Sequence, residues 1–485
     1  MKSRLDILRD NFGYFSYRGK QQDIIERTLK GKHSLVIMPT GSGKSLTYQV
    51  PALLLEDLTI VISPLIALMK DQVDVLLNKG IDAAYINSSL TKLQRQKHYQ
   101  NVEQGNYKLL YVTPERFRKD AFLNVLKNRT ISLLAVDEAH CISEWGHDFR
   151  PDYTRLREFR IKMNQPTTLA LTATATPEVQ EDIINQLGLS MDQVKIYHEG
   201  IERPNLYLEV KNIWGEEEKL SHILDIYDKY PGNGIVYFVL INDLYKISER
   251  LREKKIAHMI YHGELKADQR RIVQERFMQG ENNLVLATNA FGMGIDKENI
   301  RFVIHAQIPA SLEAYYQEIG RAGRDGKKSV CCLLYDEQDL NIQLQFIKWN
   351  NPSADFYYRL HRLIYSDIER VNAEGIEFLR EQLTFKNKTD YRLETALGIL
   401  DRYGVVEGEI EKGNLNLISD LPSQLEDQSH LNEKLHYEQQ KLYRMVLYTK
   451  EERCRKAFIH EYFGLQFSGT CGVCDLDTRV DKVSK

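Results

Sequence analysis

The residues best suited to chemistry form the run Met38-Pro-Thr-Gly-Ser-Gly-Lys-Ser45. A glycine-rich loop that ends in Lys-Ser binds nucleotide phosphates through its backbone N–H groups. In such a loop Lys44 reaches the β- and γ-phosphates, and the hydroxyl of Ser45 binds Mg²⁺. The match is incomplete, because Met38 stands where the strict pattern has its first glycine. The candidate phosphate-binding residues are Thr40, Gly41, Ser42, Gly43, Lys44 and Ser45.

A second group of chemically competent residues, Asp137-Glu-Ala-His140, follows farther along the chain. The apolar run Ile131–Val136 before it predicts a buried strand, which would deliver Asp137 to the Mg²⁺ ion. Glu138 follows directly and is placed to polarise an attacking water. Together with the glycine-rich loop, this pair predicts hydrolysis of a nucleoside triphosphate.

A third segment, Phe12-Gly-Tyr14 and Tyr17-Arg18-Gly-Lys-Gln21, precedes the phosphate loop. The amide of Gln21 offers a donor and an acceptor to the edge of adenine, and the ring of Tyr14 can stack on the base. In isolation Gln21 would be an ordinary surface residue. Its position ahead of the phosphate loop favours base binding, with Arg18 assigned to the same segment.

Length, charge and composition limit the classes of protein to which this chain can belong. The chain has 485 residues, 42% apolar residues and a net charge of −3, which predicts several domains and no global basic field for nucleic acid. We find no apolar run of membrane-spanning length and no signal peptide. Six cysteines are too few for a disulfide framework. We therefore expect a cytoplasmic protein, associated with the nucleoid if bacterial, and no membrane partner.

Short β-branched runs alternate with helical stretches over residues 1–200 and again over residues 201–342, which predicts two α/β lobes with parallel sheets around one cleft. A hinge is expected at Glu199–Pro204. Residues 343–430 resemble a winged-helix domain and residues 431–485 a small helical subdomain. The predicted strands are Ser34–Met38, Thr59–Ser63, Lys108–Thr113, Ile131–Val136, Thr168–Thr172, Gly234–Val239, Ala257–Tyr261, Asn283–Thr288, Arg301–Gln307 and Val330–Tyr335.

After residue 340 the alternation of strands and helices is predicted to end. We expect helices at Leu360–Arg380, Arg392–Tyr403 and His436–Phe463, a hairpin at Val405–Ile418, and a loop at Leu421–Asn432. The order helix, helix, hairpin is the basis for the winged-helix prediction.

The second lobe carries a matching set of phosphate-directed residues. Thr288 and Asp296 flank a flexible Gly-x-Gly, and the run Gln317-Glu-Ile-Gly-Arg-Ala-Gly-Arg324 follows a predicted helix. Arg321 and Arg324 can reach across the cleft to a γ-phosphate, where an arginine finger stabilises charge only when the lobes close. Gln317 is included in the predicted catalytic set.

Several residues are candidates for binding a nucleic-acid strand. Ser63 and Thr113 follow predicted strands, where ligands bind in parallel sheets, although helix capping would explain such residues equally well. Thr288 occupies a similar position in the second lobe. The loop after Glu138 is rich in rings and cations that can stack on bases, or that can simply form an aromatic plug. Its candidate residues are Trp145, His147, Phe149 and Arg150.

The C-terminal cysteines have the spacing of a metal site. Cys454, Cys471, Cys474 and Asp477 are arranged as C-x₁₆-C-x₂-C-x₂-D, which suits a structural Zn²⁺ ion. His460 is a competing fourth ligand, and three reduced thiols without metal remain an alternative. Cys331 and Cys332 lie within a predicted strand and are expected in the core.

In this order the motifs resemble the RecQ family of superfamily 2 DNA helicases, across essentially the whole chain. The similarity is greatest at MPTGSGKS, DEAHCISEWGHDFRPDY, LTATAT, ATNAFGMGID and YYQEIGRAGRDG. It implies two tandem RecA-like lobes, a winged-helix domain and a zinc-binding subdomain. It also implies 3′→5′ unwinding of forked or junction DNA with ATP and Mg²⁺, in recombination and repair, and single-stranded-DNA-binding or recombination proteins as partners.

The chain departs from the family pattern in three ways. Asp477 replaces the fourth zinc cysteine, the predicted winged helix precedes the cysteines, and no further module is expected after Lys485, as in a short form. The predicted wing, Glu407–Glu411, is acidic and should repel phosphates. An RNA helicase and an ATP-gated DNA clamp without unwinding remain the alternative functions.

Overall fold

The structure is a computed structural model that describes residues 3–39, 41–146, 150–280, 283–292, 295, 297–384, 390–467 and 469–477. The elements form three regions in the predicted order: a first α/β lobe, a second α/β lobe and a mainly helical C-terminal region. The predicted fold class is therefore confirmed. Each helix of the described chain is too short or too polar to cross a membrane.

Lobe 1 contains a parallel sheet of seven strands among its described residues, in the order β3-β4-β2-β5-β6-β1-β7. Its central strands are buried on both faces, because helices cover the two sides, and this explains their continuous apolar runs. The strands are β1 (Ser34–Ile37), β2 (Leu58–Ile62), β3 (Ala83–Ile86), β4 (Leu109–Val112), β5 (Ile131–Val136), β6 (Thr167–Thr172) and β7 (Lys195–His198). The helices are α1 (Arg4–Phe12), α2 (Gln21–Leu29), α3 (Leu46–Leu54), α4 (Ile66–Asn78), α5 (Lys92–Glu103), α6 (Asp120–Lys127), α7 (Leu156–Lys162) and α8 (Pro177–Gln186).

Lobe 2 repeats this architecture with six parallel strands over the part that is described, in the order β10-β11-β9-β12-β13-β8. The strands are β8 (Leu206–Asn212), β9 (Asn233–Tyr237), β10 (Met259–Tyr261), β11 (Leu284–Ala287), β12 (Ile300–His305) and β13 (Ser329–Tyr335). The helices are α9 (Gly215–Lys229), α10 (Ile241–Glu253), α11 (Ala267–Gln279) and α12 (Leu312–Ile319).

All ten predicted strands are present, but three strands escaped prediction. These are β3, β7 and β8, and each lies at an edge of its sheet. An edge strand has one covered side, so its sequence is shorter or more polar than a central apolar run. The pattern of β8, for example, alternates buried and half-buried residues. The predicted hinge at Glu199–Pro204 lies between β7 and β8.

The C-terminal region differs from its predicted secondary structure. The helix expected at Leu360–Arg380 is broken twice, at Asp367 and at Gly375, whose φ of 69° ends a helix. The elements are α13 (Leu340–Asn350), α14 (Ala354–Ser366), α15 (Ile368–Glu374), α16 (Ile376–Thr384), α17 (Arg392–Tyr403), β14 (Val406–Glu407), β15 (Asn416–Leu417), α18 (Ser423–Glu426), α19 (Gln428–Thr449) and α20 (Arg455–Tyr462).

Two further predictions about this region are wrong. The expected loop at Leu421–Asn432 contains α18 and the start of α19, because Asp427 caps α19 by accepting the N–H of Ser429. The expected helix at His436–Phe463 is two helices, interrupted at residues 450–454, the last of which is Cys454. The expected hairpin is present as two antiparallel strands of two residues each, β14 and β15.

The C-terminal region divides into two parts by its packing. Helices α14 to α18, with Leu431 at the start of α19, form a hydrophobic core of their own. In the chain α14 to α18 lie between α13 and α19, which contact each other. By contrast, α19 and α20 join the core of lobe 2 through side chains such as Met445, Tyr448 and Phe458. The domain boundaries at 200, 342 and 430 remain predictions.

Candidate nucleotide site, nucleic-acid groove and zinc site

The sheet topology separates two groups of loops in lobe 1. The adjacent strands β5, β6 and β1 end at the nucleotide-directed motifs, whereas β4 and β2 end at Thr113 and Ser63. In parallel sheets ligands bind beyond the carboxyl ends of the strands. Two neighbouring candidate binding regions therefore share one edge of the sheet.

One cavity of about 630 Å³ lies between the two lobes and collects most of the predicted site residues. Its lining includes residues of both lobes, so a ligand here would contact both. Thr40 and Asp296, also predicted for this site, lie outside the described residues. The predicted residues in the lining are Tyr14, Arg18, Gln21, Gly41, Ser42, Gly43, Lys44, Ser45, Asp137, Glu138, Arg150, Gln317, Arg321 and Arg324.

The phosphate loop has the backbone that its glycines predict. Gly41 and Gly43 both have φ of 82°, which favours glycine. Met38 is absent from the residues with positive φ and its side chain is buried in the core. The first glycine of the strict pattern is therefore unnecessary here. The ammonium of Lys44 donates to the carbonyl of Met38 at 3.0 Å.

Gln21 connects the base-directed segment to the phosphate loop. Its amide nitrogen donates to the carbonyls of Ser42 and Gly43 at 3.0 and 3.2 Å, and its amide oxygen accepts the N–H of Arg18. A β-carbon on Gly43 would lie 2.7 Å from this amide nitrogen. The Gln21 amide therefore already contacts the loop, and Tyr14 lies half exposed at the rim.

The carboxylates of Asp137 and Glu138 attract the ammonium of the half-buried Lys44. Burial and the neighbouring Glu138 raise the pKa of Asp137 to about 7, while Lys44 opposes this rise. Burial lowers the pKa of Lys44, against the attraction of the two carboxylates. Two adjacent, partly buried carboxylates require positive charge, so Asp137 and Ser45, which line the same cavity, fit a Mg²⁺ ion.

Glu138 is held in an unusual backbone conformation. Its φ of 48° is in the left-handed region, and its Oε2 is buried, 3.4 Å from Nδ1 of His140. His140 in turn lies 3.0 Å from the hydroxyl of Thr172, at the end of β6. This chain of contacts joins the nucleotide site to the segment after β6.

The two predicted arginine fingers have different surroundings. Arg324 reaches lobe 1, where its Cδ would lie 3.5 Å from a β-carbon on Gly41, and its Nη1 donates to the carbonyl of Ile295 at 2.9 Å. Arg321 is buried and donates to the carbonyl of Gly292 within lobe 2. Both line the cavity, and Arg324 is the one that approaches the phosphate loop.

One polar pair in this cavity was missed. Glu318 lines the cavity on α12 and accepts a hydrogen bond of 2.7 Å from Nε2 of His305, at the end of β12. Both side chains are buried. In the sequence, the only indication of a role for Glu318 was its position within the Gln317–Arg324 run. Its pairing with His305 could not be predicted, because the two residues lie on separate elements.

The predicted strand-binding residues lie at the carboxyl ends of strands in both lobes. Ser63, Thr113 and Thr288 are buried directly after β2, β4 and β11. The hydroxyl of Ser63 accepts the N–H of Leu65 at 3.4 Å, whereas Thr113 makes no side-chain capping bond to the short helix that follows it. Helix α4 has Leu65 at its N-cap position and no side-chain capping bond, so helix capping explains neither Ser63 nor Thr113.

The aromatic-rich loop (residues 143–150) is only partly described. Arg150 donates to the carbonyl of Pro64 at 3.4 Å, next to Ser63. The ring of Trp145 is half buried and lies edge-on to Tyr437 of α19, with centroids 5.2 Å apart. His147 and Phe149 lie outside the described residues.

The C-terminal ligand atoms converge as the spacing predicted. One ligand atom from each of Cys454, Cys471, Cys474 and Asp477 lies within 4.8 Å of the others. Zn–S bonds of about 2.3 Å in a tetrahedron place sulfurs a little under 4 Å apart, so the set fits a Zn²⁺ ion. The hydrogen bond between the two thiols lowers the pKa of Cys474 to about 6 and raises the pKa of Cys471, so Cys474 is the more acidic of the pair.

Asp477, and not His460, accompanies the three thiols. One carboxylate oxygen, Oδ2, accepts the backbone N–H groups of Cys471 and Gly472 at 2.7 and 3.0 Å. These bonds orient the carboxylate and leave Oδ1 for the metal. His460 turns its Nδ1 to the carbonyl of Lys456 at 2.7 Å and is outside the converging group.

The cysteine segment is attached to lobe 2. Leu208 of β8 donates its N–H to Val473 and accepts the N–H of Asp475, so the segment extends the edge of the second sheet. Asp475 also forms a buried ion pair with Arg455 of α20. Cys331 and Cys332, expected in the core, are buried on β13.

Comparisons with known proteins agree with this arrangement. The DEAD/DEAH box helicase family matches residues 18–183, the helicase conserved C-terminal domain matches residues 218–326, and the RecQ zinc-binding family matches residues 418–478. The chain is similar in fold to a DNA-bound and AMPPNP-bound structure of the DUF1998 helicase MrfA, with a TM-score of 0.57 and 17% identity, over 71% of this chain and 52% of that one.

Two relatives from Bacillus subtilis (strain 168) are much closer in sequence. The ATP-dependent DNA helicase RecQ is 46% identical over 70% of this chain and 57% of its own length, so the chain spans less than two thirds of that relative. The probable ATP-dependent DNA helicase RecS is 41% identical over 74% of this chain and 72% of its own length. The chain therefore belongs to the RecQ family of superfamily 2 helicases.

Proposed function

We propose that this chain is an ATP-dependent DNA helicase that moves 3′→5′ along single-stranded DNA and unwinds forked or junction duplexes. The observation that carries this proposal is the cavity between the lobes, in which the phosphate loop and carboxylates of lobe 1 face the arginines of lobe 2. A nucleotide that contacts both lobes can change their relative position on hydrolysis. The relatives at 46% and 41% identity are named DNA helicases, which supports DNA as the nucleic acid that this chain unwinds.

In the proposed cycle ATP binds at the phosphate loop with Lys44 against its terminal phosphates. Asp137 and Ser45 would hold Mg²⁺, which supplies charge neutralisation at the phosphates. Glu138 orients the attacking water, and Arg324 stabilises the charge that develops when the lobes close. Gln317 and Arg321 complete the side of the site that lobe 2 provides.

A DNA strand is proposed to lie across the outer edge of both sheets. Ser63, Thr113 and Thr288 follow strands there, and backbone and hydroxyl groups at such positions bind phosphates without a global basic charge. Trp145 and Arg150 would contact bases from the aromatic-rich loop. The Zn²⁺ ion would fix the cysteine segment against β8 and take no part in hydrolysis.

The acidic wing is proposed to have a role other than binding phosphates. Glu407 of β14 pairs with Lys119 of lobe 1 at 3.0 Å, and Arg118 donates to the carbonyl of Asp401 at the end of α17. These contacts place carboxylates and helix α17 against lobe 1. They favour separation of strands by another element over insertion of this helix into a DNA groove.

The test is unwinding of a fluorescent forked duplex with ATP and Mg²⁺. We expect strand separation from a 3′ tail, none from a 5′ tail, and none with Lys44→Ala, which loses a phosphate contact. Stimulation of ATP turnover by single-stranded RNA as strongly as by DNA would favour the RNA helicase alternative. Stimulated turnover without strand separation would favour the DNA clamp.

A further inference from the structure

Helix α19 contacts the aromatic-rich loop of lobe 1 at three points. The ammonium of Lys441 donates to the backbone carbonyl of Trp145 at 2.6 Å. The ring of Tyr437 lies edge-on to the ring of Trp145, at an interplanar angle of 65°. Nε2 of His430 lies 2.8 Å from a carboxylate oxygen of Glu144. Backbone, ring and charge of the loop are all bound by one helix.

The same helix is anchored on lobe 2. Met445 and Tyr448 belong to the core of that lobe, and the hydroxyl of Tyr448 lies 3.4 Å from that of Tyr315. Tyr315 is on α12, the helix that precedes Arg321 and Arg324. Lys441 and Tyr448 are two turns apart, about 10 Å along a helix. Thus a single rigid element joins the aromatic-rich loop to the helix before the arginines.

Lys441 is an unusual residue for this position. Its side chain is buried, with 7% of the residue exposed, and burial lowers its pKa, against the attraction of Glu313 and Glu438. Glu313 lies in the first turn of α12. A buried ammonium is costly unless it is paired and hydrogen-bonded. A helix that only had to pack here would carry an apolar residue, so the polar contact indicates a specific partner.

We propose that Lys441 is a positioning residue that holds Glu144 and Trp145 in their DNA-free position and releases them when DNA binds. In this proposal a base takes the place of Tyr437 against the Trp145 ring, and the accompanying shift of residue 145 withdraws the carbonyl that Lys441 binds. The inference rests on the proposed function, because it assigns a DNA-responsive role to this loop.

Linkage fixes the direction of the effect. A contact that exists in the free protein and is lost in the DNA complex opposes DNA binding, so its removal favours the complex. The hydrogen bond has a charged donor, and its loss should shift DNA affinity about 10-fold. The ammonium contacts neither ATP nor the carboxylates of the nucleotide site. Turnover without DNA and turnover at saturating DNA should therefore stay unchanged.

The test compares Lys441→Met with Lys441→Arg, which keeps a donor, and with Lys450→Met, an exposed lysine at the end of the same helix. ATP turnover is titrated with an oligothymidylate. We expect Lys441→Met to reach half-maximal stimulation at about 10-fold less DNA, and the other two variants to stay within about twofold of the parent. The proposal is overturned if Lys441→Met needs the same or a higher DNA concentration than the parent for half-maximal stimulation.

A spectroscopic readout follows the loop directly. The chain has three tryptophans, so replacing Trp214 and Trp349 with Phe leaves Trp145 as the reporter. In this background Lys441→Met should shift the Trp145 emission of the DNA-free protein toward that of the DNA complex. Emission identical to the parent in both states overturns the proposal.

A second variant keeps the proposal testable if Lys441→Met does not fold. His430→Ala removes the contact with Glu144 at the other end of the helix, and it should also lower the DNA concentration needed for half-maximal stimulation. A chain that shows no DNA stimulation in any form, including the parent, would instead count against the proposed function.

Discussion

Arg324 of lobe 2 packs against Gly41 of the phosphate loop in lobe 1. A β-carbon added to Gly41 would lie 3.5 Å from the Cδ atom of Arg324, which is van der Waals contact. Arg321, three residues earlier, is instead bound to the carbonyl of Gly292 in its own lobe. The two arginines therefore differ in their access to a phosphate in lobe 1.

The difference predicts that Arg324 is the principal finger. Arg324→Ala should lower DNA-stimulated ATP turnover about 10³-fold, the size expected for loss of an arginine finger. ATP binding should persist, because the phosphate loop and Lys44 are intact. Single-turnover hydrolysis and binding of a fluorescent ATP analogue separate the two effects. Arg324→Lys, with a charge but no planar fork, is the matched control. Full turnover by Arg324→Ala would contradict the assignment.

The raised pKa of Asp137 predicts a pH-dependent stability. The folded pKa of about 7 exceeds the value of about 3.9 in an unfolded chain. Between these values the folded state retains a proton that the unfolded state has lost, so the free energy of unfolding should fall as pH rises from about 4 to about 7. Because Mg²⁺ binds the ionised carboxylate, it should raise Tm more at pH 7 than at pH 5.

The control for this effect is Asp137→Asn, which has no proton to lose. In that variant the chelator-treated protein should lose less stability over the same pH range, and Mg²⁺ should change Tm little at either pH. Differential scanning calorimetry with and without Mg²⁺ measures both quantities. An equal Mg²⁺ effect at the two pH values would argue against Asp137 as a ligand.

The zinc site predicts a contrast between Asp477 and His460. Asp477→Ala should lower Zn²⁺ affinity by about 100-fold or more, because it removes a ligand and not only a supporting group. His460→Ala should keep the metal. Zinc content after dialysis against a graded chelator series is the measurement, and Asp477→Cys should restore binding. Retention of zinc by Asp477→Ala with its loss from His460→Ala would reverse the ligand assignment.

A substitution at Met38 should bring the sequence closer to the phosphate-loop motif and yet lower the stability of the fold. Met38→Gly restores the strict phosphate-loop pattern, yet the Met38 side chain is buried and its backbone needs no glycine. We expect a loss of about 2–5 kcal/mol in the free energy of unfolding from the cavity, with ATP affinity unchanged. Urea denaturation and nucleotide titration test this. Tighter ATP binding would show that Met38 limits the loop.

Gly43 provides the opposite case. Gly43→Ala introduces a β-carbon 2.7 Å from the amide nitrogen of Gln21, at a residue with φ of 82°. It should weaken ATP binding, because it distorts the loop and separates it from the base-directed segment. Nucleotide titration of Gly43→Ala beside Gly13→Ala, whose β-carbon meets nothing within 4 Å, isolates the steric effect. Equal affinities in the two variants would contradict it.

The motifs that depend on local backbone could be predicted from the residues alone. The glycines around Lys44, the carboxylates after the buried strand β5, and the C-x₂-C pair lie close together in the chain, so their spacing specifies their geometry. The central strands were equally accessible, because burial on both faces demands a continuous apolar run. Edge strands such as β8 lacked that signal, since only part of their surface is covered.

Relations between distant segments were decided by tertiary packing. The choice of Arg324 over Arg321 depends on how lobe 2 lies against lobe 1, and the choice of Asp477 over His460 depends on the fold of the cysteine segment against β8. The contact of Lys441 with Trp145 joins residues that are 296 positions apart. No local spacing encodes such contacts, because they arise from the burial of separate apolar faces against one another.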